Sequence, residues 1–570
     1  MYIRKTRRVF KGKTYINHLL VESVQTAQGP WQRTICSLGS LEPATSEVAI
    51  PIEVDHVEVE EAREAGPVRV GHQVWRQLGL DALLTRAELS PRACALTEAM
   101  TLNRLIGPCS EHAMPDWIRS TALGDILRED FSTLIDEALY RNLDRLHPQR
   151  EPIERELAGR EKTLFNLDGS ILLYDLTSTY FEGEAARNPQ AKRGYWRDKR
   201  PDCKQVMVGL VLDRDGFSKA HEVFDGNTQD RASPDLMLDA LEKRTGKRPG
   251  TTVIVDRGMA YGENLAQIRK RGQHYLVAGR QGERNQWLAE LETEEGWEEI
   301  VRAPSPRNPF QKKTRVQIKR QRNGDVIYIL CRSEGREEKD RAVREKQEAK
   351  LLADLAKLQQ RVGKGQLRDE RMTQQAIGRR RKRYPRVARS YAIDYEAVGK
   401  NLTWQELAEK KALAQKLAGS YLLKTDREDL SADEIWRAYI LLTRVEDAFR
   451  KMKSPLMERP IFHHLKNRMQ THIFLCVLAY HLLAAIEHRF LLAGVHTSWW
   501  SLRQHLRTHQ VVSVLLHETQ SDRVLRIRKA TTPESTHREI YATLRIPTEV
   551  VKPIKTWVRQ AGSDEKNLKL

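Results

Sequence analysis

Three carboxylates stand where a metal ion could use them. Asp175 closes the short apolar run 171–174, and Asp256 closes the β-branched run 251–255. Strand ends in open α/β sheets are where ligand crevices form. Glu446 lies in IWRAYILLTRVEDAFRKMK, residues 435–453. There Ile435, Tyr439, Leu442, Glu446, Phe449 and Lys453 recur at three- and four-residue steps, which places them on one side of a single predicted helix. That side carries most of the large apolar groups and is expected to be buried. A buried carboxylate is costly unless something pairs with it. Three carboxylates brought together repel unless a divalent cation binds between them. Hard oxygen ligands select magnesium or manganese over zinc or copper. Two such ions flanking a phosphodiester activate a water or a 3′-hydroxyl and stabilise the leaving oxygen. The same residues also fit plainer accounts, namely turn-forming aspartates and a surface helix laced with ion pairs.

The elements that must hold these groups can be read in order. Residues 1–66 form a β-rich segment, with Gly29-Pro30 dividing short alternating runs into a hairpin or meander. Six basic residues (Arg4, Lys5, Arg7, Arg8, Lys11, Lys13) fall within the first thirteen positions; they suit phosphate contact and a solvated tail equally. Residues 45–66 are acidic and valine-rich, a strand or linker. Residues 67–165 are helical: Val74, Leu78, Leu80, Leu83 and Leu84 mark one helix, and Phe131 to Leu146 a later one. Breaks at Gly107-Pro108 and Gly124 fit a plain bundle or one that includes a helix-turn-helix.

Residues 166–280 change character. Three β runs, a helix, a strand, a helix and a strand make an α/β unit with antiparallel and parallel parts. Residues 281–425 interrupt it with a hairpin around Asn323-Gly324, a charged helix over 334–361, and the basic run 378–389, GRRRKRYPRVAR. That run reads as an exposed loop or as a phosphate-contact surface. Residues 426–490 return to helix, with 473–486 buried. In the tail, 491–570, a helix is expected near 499–505 and a strand near 524–527.

Composition narrows the partners. The chain has 570 residues, 96 lysines and arginines against 77 aspartates and glutamates, and a net charge of +19. Such a surplus suggests a polyanion, with nucleic acid ahead of an anionic membrane surface. The longest apolar stretch, 473–486, is too short to span a bilayer, and no membrane partner is expected. MYIRKTRRVFKGK lacks the apolar core of a secretory signal. The six cysteines are scattered, with neither a zinc pattern nor a disulfide framework, which fits a reducing cytosol.

The segments around the three acids resemble a known family. YDLTSTYFEG carries Asp175, IVDRGMAY carries Asp256, and VEDAFRKMKSPLMERPIFHH carries Glu446. Together with RGYWRDKRPDCKQVMVGLVLDRDG and VFDGNTQD, they are similar in kind and order to the bacterial insertion-sequence DDE transposases of the Y-x2-R-x3-E-x6-K group. The resemblance implies a ribonuclease-H-like mixed-sheet catalytic core in two parts, 166–280 and 426–490, around an insertion domain. It implies a magnesium-binding triad of Asp175, Asp256 and Glu446, with Mn²⁺ able to substitute. It also implies contacts of Tyr439 and Lys453 to DNA. Leu442 stands where the signature has arginine, and Arg444 does not replace it on a continuous helix. Near the triad, Arg257, Lys204 and Arg450 are candidates to hold the DNA backbone, with Arg193, Lys199 and Arg200 beside them. Trp287 and Trp297 in the insertion are expected to be core rather than base-stacking residues. The implied partners are double-stranded DNA, as terminal inverted repeats and target, and a second copy of the chain. A nuclease without strand transfer and a non-catalytic DNA-binding remnant remain as alternatives.

Overall fold

A computed structural model describes residues 2–10, 13–26, 29–40, 52–195, 197–198, 200–302, 313–367, 369–519 and 523–559. Two compact units form: Met1–Thr251 with Lys270–Gln273 and Leu441–Leu570, and Thr252–Arg269 with His274–Ile440. Lys11, Lys199 and the part of the acidic segment before Ile52 lie outside the described residues.

The first unit begins with β1 (Tyr2–Phe10), β2 (Lys13–Thr26) and β3 (Gly29–Gly39), an antiparallel meander. β4 (Ile52–Glu64) follows, then α1 (Gly66–Gln77), α2 (Leu80–Arg86), α3 (Pro91–Ile106), α4 (Met114–Ser120), α5 (Leu123–Leu127), α6 (Asp136–Leu146) and α7 (Arg150–Leu164). The apolar pattern 74–84 is therefore two helices. Gly79 takes φ +69, a left-handed conformation that ends one helix and starts the next, and an added Cβ would sit 1.5 Å from the Arg160 guanidinium. Ser90 caps α3 by accepting the Ala93 N–H, with Pro91 at the first helical position.

The core strands β5 (Ile171–Tyr180), β6 (Gln205–Asp213) and β7 (Ser218–Asp225) pair antiparallel, and α8 (Ser233–Thr245) follows. β5 runs past the point where the sequence reading ended it. Thr177, Thr179 and Tyr180 are β-favouring residues, and the ladder continues to Tyr180 opposite Gln205.

The second unit opens with β8 (Thr252–Val255), α9 (Gly262–Lys270) and β9 (His274–Ala278), the strands parallel. The chain order β-β-β-α-β-α-β is that of the expected ribonuclease-H-like α/β core. Then come α10 (Leu288–Glu292), β10 (Glu298–Arg302), β11 (Thr314–Asn323), β12 (Val326–Ser333), α11 (Glu334–Gly363), α12 (Glu370–Arg383), α13 (Pro385–Ala388), β13 (Tyr391–Glu396), β14 (Asn401–Glu406), α14 (Ala408–Lys416), β15 (Ser420–Thr425) and α15 (Ala432–Ile440). β10, β11, β12 and β15 continue antiparallel from β9. α11 to α13 and the β13–β14 hairpin bury a separate cluster that includes Leu351, Leu355, Leu358, Ile377, Val387 and Leu402. The basic run 378–389 is helical, not a loop, and part of its charge is engaged locally: Arg380 donates to Asp354 O, Arg381 to Ile393 O, and Arg383 pairs with Asp354.

The chain then returns to the first unit with α16 (Thr443–Lys453), α17 (Lys466–Leu492), α18 (Trp499–Leu506), β16 (Gln510–Glu518), β17 (Arg523–Ala530), α19 (Ser535–Thr543) and β18 (Ile554–Arg559). β4 joins this last sheet beside β16. Leu20, Cys36 and Leu38 of the N-terminal meander pack with Val512, Val514, Leu516, Leu525 and Ile527. α17 has 27 residues and is long and apolar enough to cross a membrane by length and composition, which corrects the shorter estimate from 473–486. Its apolar window is wholly buried, and it packs on α1, α3 and α6.

Candidate active site

Asp175 is the fifth residue of β5, half-buried, and faces Leu210 across the ladder. It is therefore not at a strand end, and one carboxylate oxygen accepts the Leu176 N–H at 2.7 Å. Asp256 does follow its strand, β8. It is exposed, and its carbonyl accepts the Met259 N–H of the short turn after it.

Glu446 departs furthest from expectation. The single helix predicted over 435–453 breaks at Leu441-Leu442, between α15 and α16. Arg444 N–H bonds to Leu441 O at 2.8 Å and Val445 N–H to Leu442 O at 3.0 Å, so a tight three-residue turn restarts the helix. The buried stripe of α16 is Val445, Ala448, Phe449 and Met452. Glu446 lies off that stripe and is exposed, which avoids the cost of burying a carboxylate. α16 packs on β5 and β6, so the helix bearing Glu446 lies on the strand bearing Asp175. Both belong to the first unit, and Asp256 belongs to the second. Because of the break, the phase argument that set Arg444 on another face from Leu442 does not hold.

Lys453 ends α16, and its Nζ lies 2.8 Å from Asp198 Oδ1. Arg459 donates to the same oxygen. Ser178 Oγ donates to Asp198 Oδ2 at 3.5 Å. The pair is covered, with the Lys453 side chain 12% exposed and that of Asp198 7%. On the adjoining residue, Arg197 donates to Leu176 O and to Asp230. These bonds tie the segment between β5 and β6 over the second half of β5. Glu458 is fully buried nearby. Burial pushes its carboxyl up to about 7, Asp198 adds to that rise, and Lys453 and Arg459 oppose it. The sequence reading missed Asp198, Glu458 and Arg459. Their only signal is a charged residue inside RDKRPD or MERP, and RDKRPD lies far along the chain from the Lys453 and Arg459 that its Asp198 meets.

The other candidates are placed as follows. Tyr439 is half-buried in the last turn of α15. Lys204 is half-buried just before β6, and its carbonyl accepts the Phe181 N–H. Arg257, beside Asp256, has a buried Nε with no acceptor among the described residues. Arg450 is exposed and pairs with Asp447 at 3.3 Å. Arg200 is bound to Asp202. Trp287 packs against Tyr328, and Trp297 lies under the Arg332 guanidinium, so both tryptophans serve contacts within their own unit.

Glu111, His463 and His472 form a separate buried cluster with ligand atoms within 4.8 Å of one another. A cation already sits among them. Arg104 donates to Glu111 Oε1 at 2.6 Å and approaches His472 Nδ1 at 3.3 Å. Burial would raise the Glu111 carboxyl, but Arg104, His463 and His472 hold it far below the usual carboxylate range. His472 is pushed down to about 3 by burial and by Arg104. Arg104 thus supplies the counter-charge of Glu111 and a donor to His472, and the cluster is an arginine-linked network.

The family described as "Transposase DDE domain" matches residues 166–482, more than half the chain. The match starts just before β5, ends within α17, and contains Asp175, Asp256 and Glu446. The chain belongs to the DDE transposases. Membership places this transposase among enzymes that cleave nucleic acid with divalent metal ions. No curated protein matches it. Among solved structures, the piggyBac transposase synaptic complex with hairpin DNA is similar at 7% identity and a TM-score of 0.36, over 72% of this chain and 69% of that one. That likeness is too distant to argue from.

Proposed function

We propose that this transposase binds the terminal inverted repeats of its own element, cuts them by two-metal phosphodiester hydrolysis, and joins the 3′-hydroxyl ends to target DNA. The observation that carries the reading is the family match, which spans all three carboxylates in order. The donor chemistry supports it. Asp175, Asp256 and Glu446 offer only oxygen ligands, and two of the three are exposed, which suits Mg²⁺ with Mn²⁺ as a substitute. When bound, the ions would lower the pKa of the attacking hydroxyl or water and stabilise the leaving oxygen.

The chain's own residues bind and orient the DNA. Arg257, with an unsatisfied buried Nε, would hold a phosphate beside Asp256. Lys204, Arg450 and Tyr439 would hold further backbone contacts. Lys453 would reach a phosphate as a point charge after leaving Asp198. Residues 166–280 and 426–490 would be the two parts of the catalytic core, 281–425 the insertion, and 67–165 a DNA-binding helical region. Pairing two DNA ends calls for two copies of the chain. The enzyme would act on the nucleoid in a bacterial cytoplasm.

The test uses purified protein and a DNA fragment carrying the sequences that flank its gene. Cleavage and joining are followed with Mg²⁺, with Ca²⁺, and with Asp175→Asn and Glu446→Gln. The expected result is cutting at the flanks and joining, both lost in either variant and without Mg²⁺. Cutting without joining would favour a nuclease. Binding without cutting, under Mn²⁺ as well, would leave a DNA-binding remnant.

A further inference from the structure

The β1–β2 hairpin is unusual in charge and in how it is held. No acidic residue precedes Glu22, whereas Arg4, Lys5, Arg7 and Arg8 all lie on β1. β3 pairs with β2 only from His18 onward. Beyond that point, among the described residues, the ladder joins Thr6–Phe10 to Lys13–Asn17 with no third strand, with Arg7 opposite Ile16 and Arg8 opposite Tyr15, and Ser37 Oγ of β3 still donates to Asn17 Oδ1 at 2.8 Å. The distal half is thus a two-stranded ribbon. The proximal end joins the core, where Leu20 is buried and Ile3 packs against the same cluster.

Strand alternation divides the side chains. Arg4, Arg8 and Phe10, with Tyr15 across the ladder, share one face, and Lys5, Arg7 and Val9 share the other. The distal apolar groups are more than half exposed, Val9 64%, Phe10 56% and Tyr15 55%. Cations on both faces are a poor match to a flat anionic surface, which would meet one face only. They match a groove with phosphates along both walls. The major groove of B-DNA admits a two-stranded β-ribbon, and apolar groups at the tip can contact thymine methyls or base edges there.

We propose that the distal β1–β2 ribbon is an arm that enters a groove of duplex DNA, with Arg7 and Arg8 on the phosphates and Phe10 and Tyr15 toward the bases. This rests on the transposase reading and assigns that reading's DNA contact to a definite element.

The test uses the full chain in Ca²⁺, with two labelled duplexes of equal length: one carrying the gene's flanks and one scrambled. Arg7→Gln/Arg8→Gln is compared with wild type over a salt series, after thermal melting shows both folded. The variant is expected to lose roughly tenfold or more in affinity on both duplexes, with the log–log salt slope shallower by about 2. Phe10→Ser/Tyr15→Ser is expected to lose affinity with the slope unchanged. Should the arginine variant be misfolded, Val9→Cys carrying a photo-crosslinker is expected to mark the DNA. Unchanged affinity and slope in the arginine variant, or no crosslink from position 9 while wild type binds, would overturn the ribbon and leave the transposase reading standing. Wild type that bound neither duplex would overturn both.

Discussion

Lys453 and Arg459 share one oxygen of Asp198, and Lys453 reaches it at 2.8 Å. A lysine proposed to take a DNA phosphate is therefore held by a carboxylate of the same chain. The carboxylate offers the charge and two-oxygen geometry of the ligand it would yield to.

Asp198→Asn leaves two part-buried cations with an amide in place of their counter-charge. Breaking one side of a covered pair costs more than the pair itself contributes. Thermal melts should show a loss of about 2 kcal/mol or more. A double-mutant cycle with Lys453→Met should give a coupling above roughly 1 kcal/mol. Additive effects would mean that Asp198 does not hold Lys453.

Glu458 makes stability depend on pH in a direction unusual for a carboxylate. Its folded-state pKa is raised to about 7, above its value in the unfolded chain. The neutral form is thus favoured by folding. Its contribution is complete below the unfolded value and is lost as pH rises through about 7. Glu458→Gln should stabilise the protein at pH 8 by up to about 3 kcal/mol, with the advantage vanishing near pH 4. Denaturant melts at the two pH values decide it; an advantage equal at both would remove the linkage.

Arg104 is the counter-charge of Glu111 inside the helical part of the first unit, with side chains 1% and 6% exposed. Arg104→Leu should cost roughly 3–5 kcal/mol, because Glu111 is left charged and buried. Adding Glu111→Leu should recover much of that loss. A chelator should leave the melting temperature of the wild type unchanged if the guanidinium, not a metal, is what the cluster is built around.

Gly226 lies in the DGN segment after β7, where an added Cβ would sit 1.9 Å from Gln205 O and 2.6 Å from Lys192 O. Both obstacles are backbone, so neither can swing aside. Gly226→Ala should cost about 3 kcal/mol or more and be visible as a lowered melting temperature. A neutral outcome would mean that this crossing of three backbone segments relaxes freely.

What the sequence disclosed, and what it hid, divides by distance along the chain. The apolar run in α17 and the strand before Asp256 are local patterns, and each is present, whereas Gly29-Pro30, expected to divide two runs, opens β3 and pairs with Thr26 and Gln25. The break at Leu441-Leu442 is not a local pattern, since two leucines continue a helix well. It arises where the chain passes from one unit to the other. The extension of β5 past Asp175 depends on pairing with β6, and the partner of Lys453 lies 255 residues away. The acid types were legible. Their exposure was not, because the helical phase that seemed to bury Glu446 stops three residues before Thr443 begins a new one.

The burial of α17 has a consequence for how the protein is made. Its packing partners α1, α3 and α6 leave the ribosome long before it does. At about 5–20 residues per second, the wait between Leu146 and Leu492 is on the order of 20–70 seconds. During that time the three early helices line an open apolar trough, a standing target for holdase chaperones and for aggregation. The N-terminal helices cannot complete their packing until the nascent chain is nearly finished.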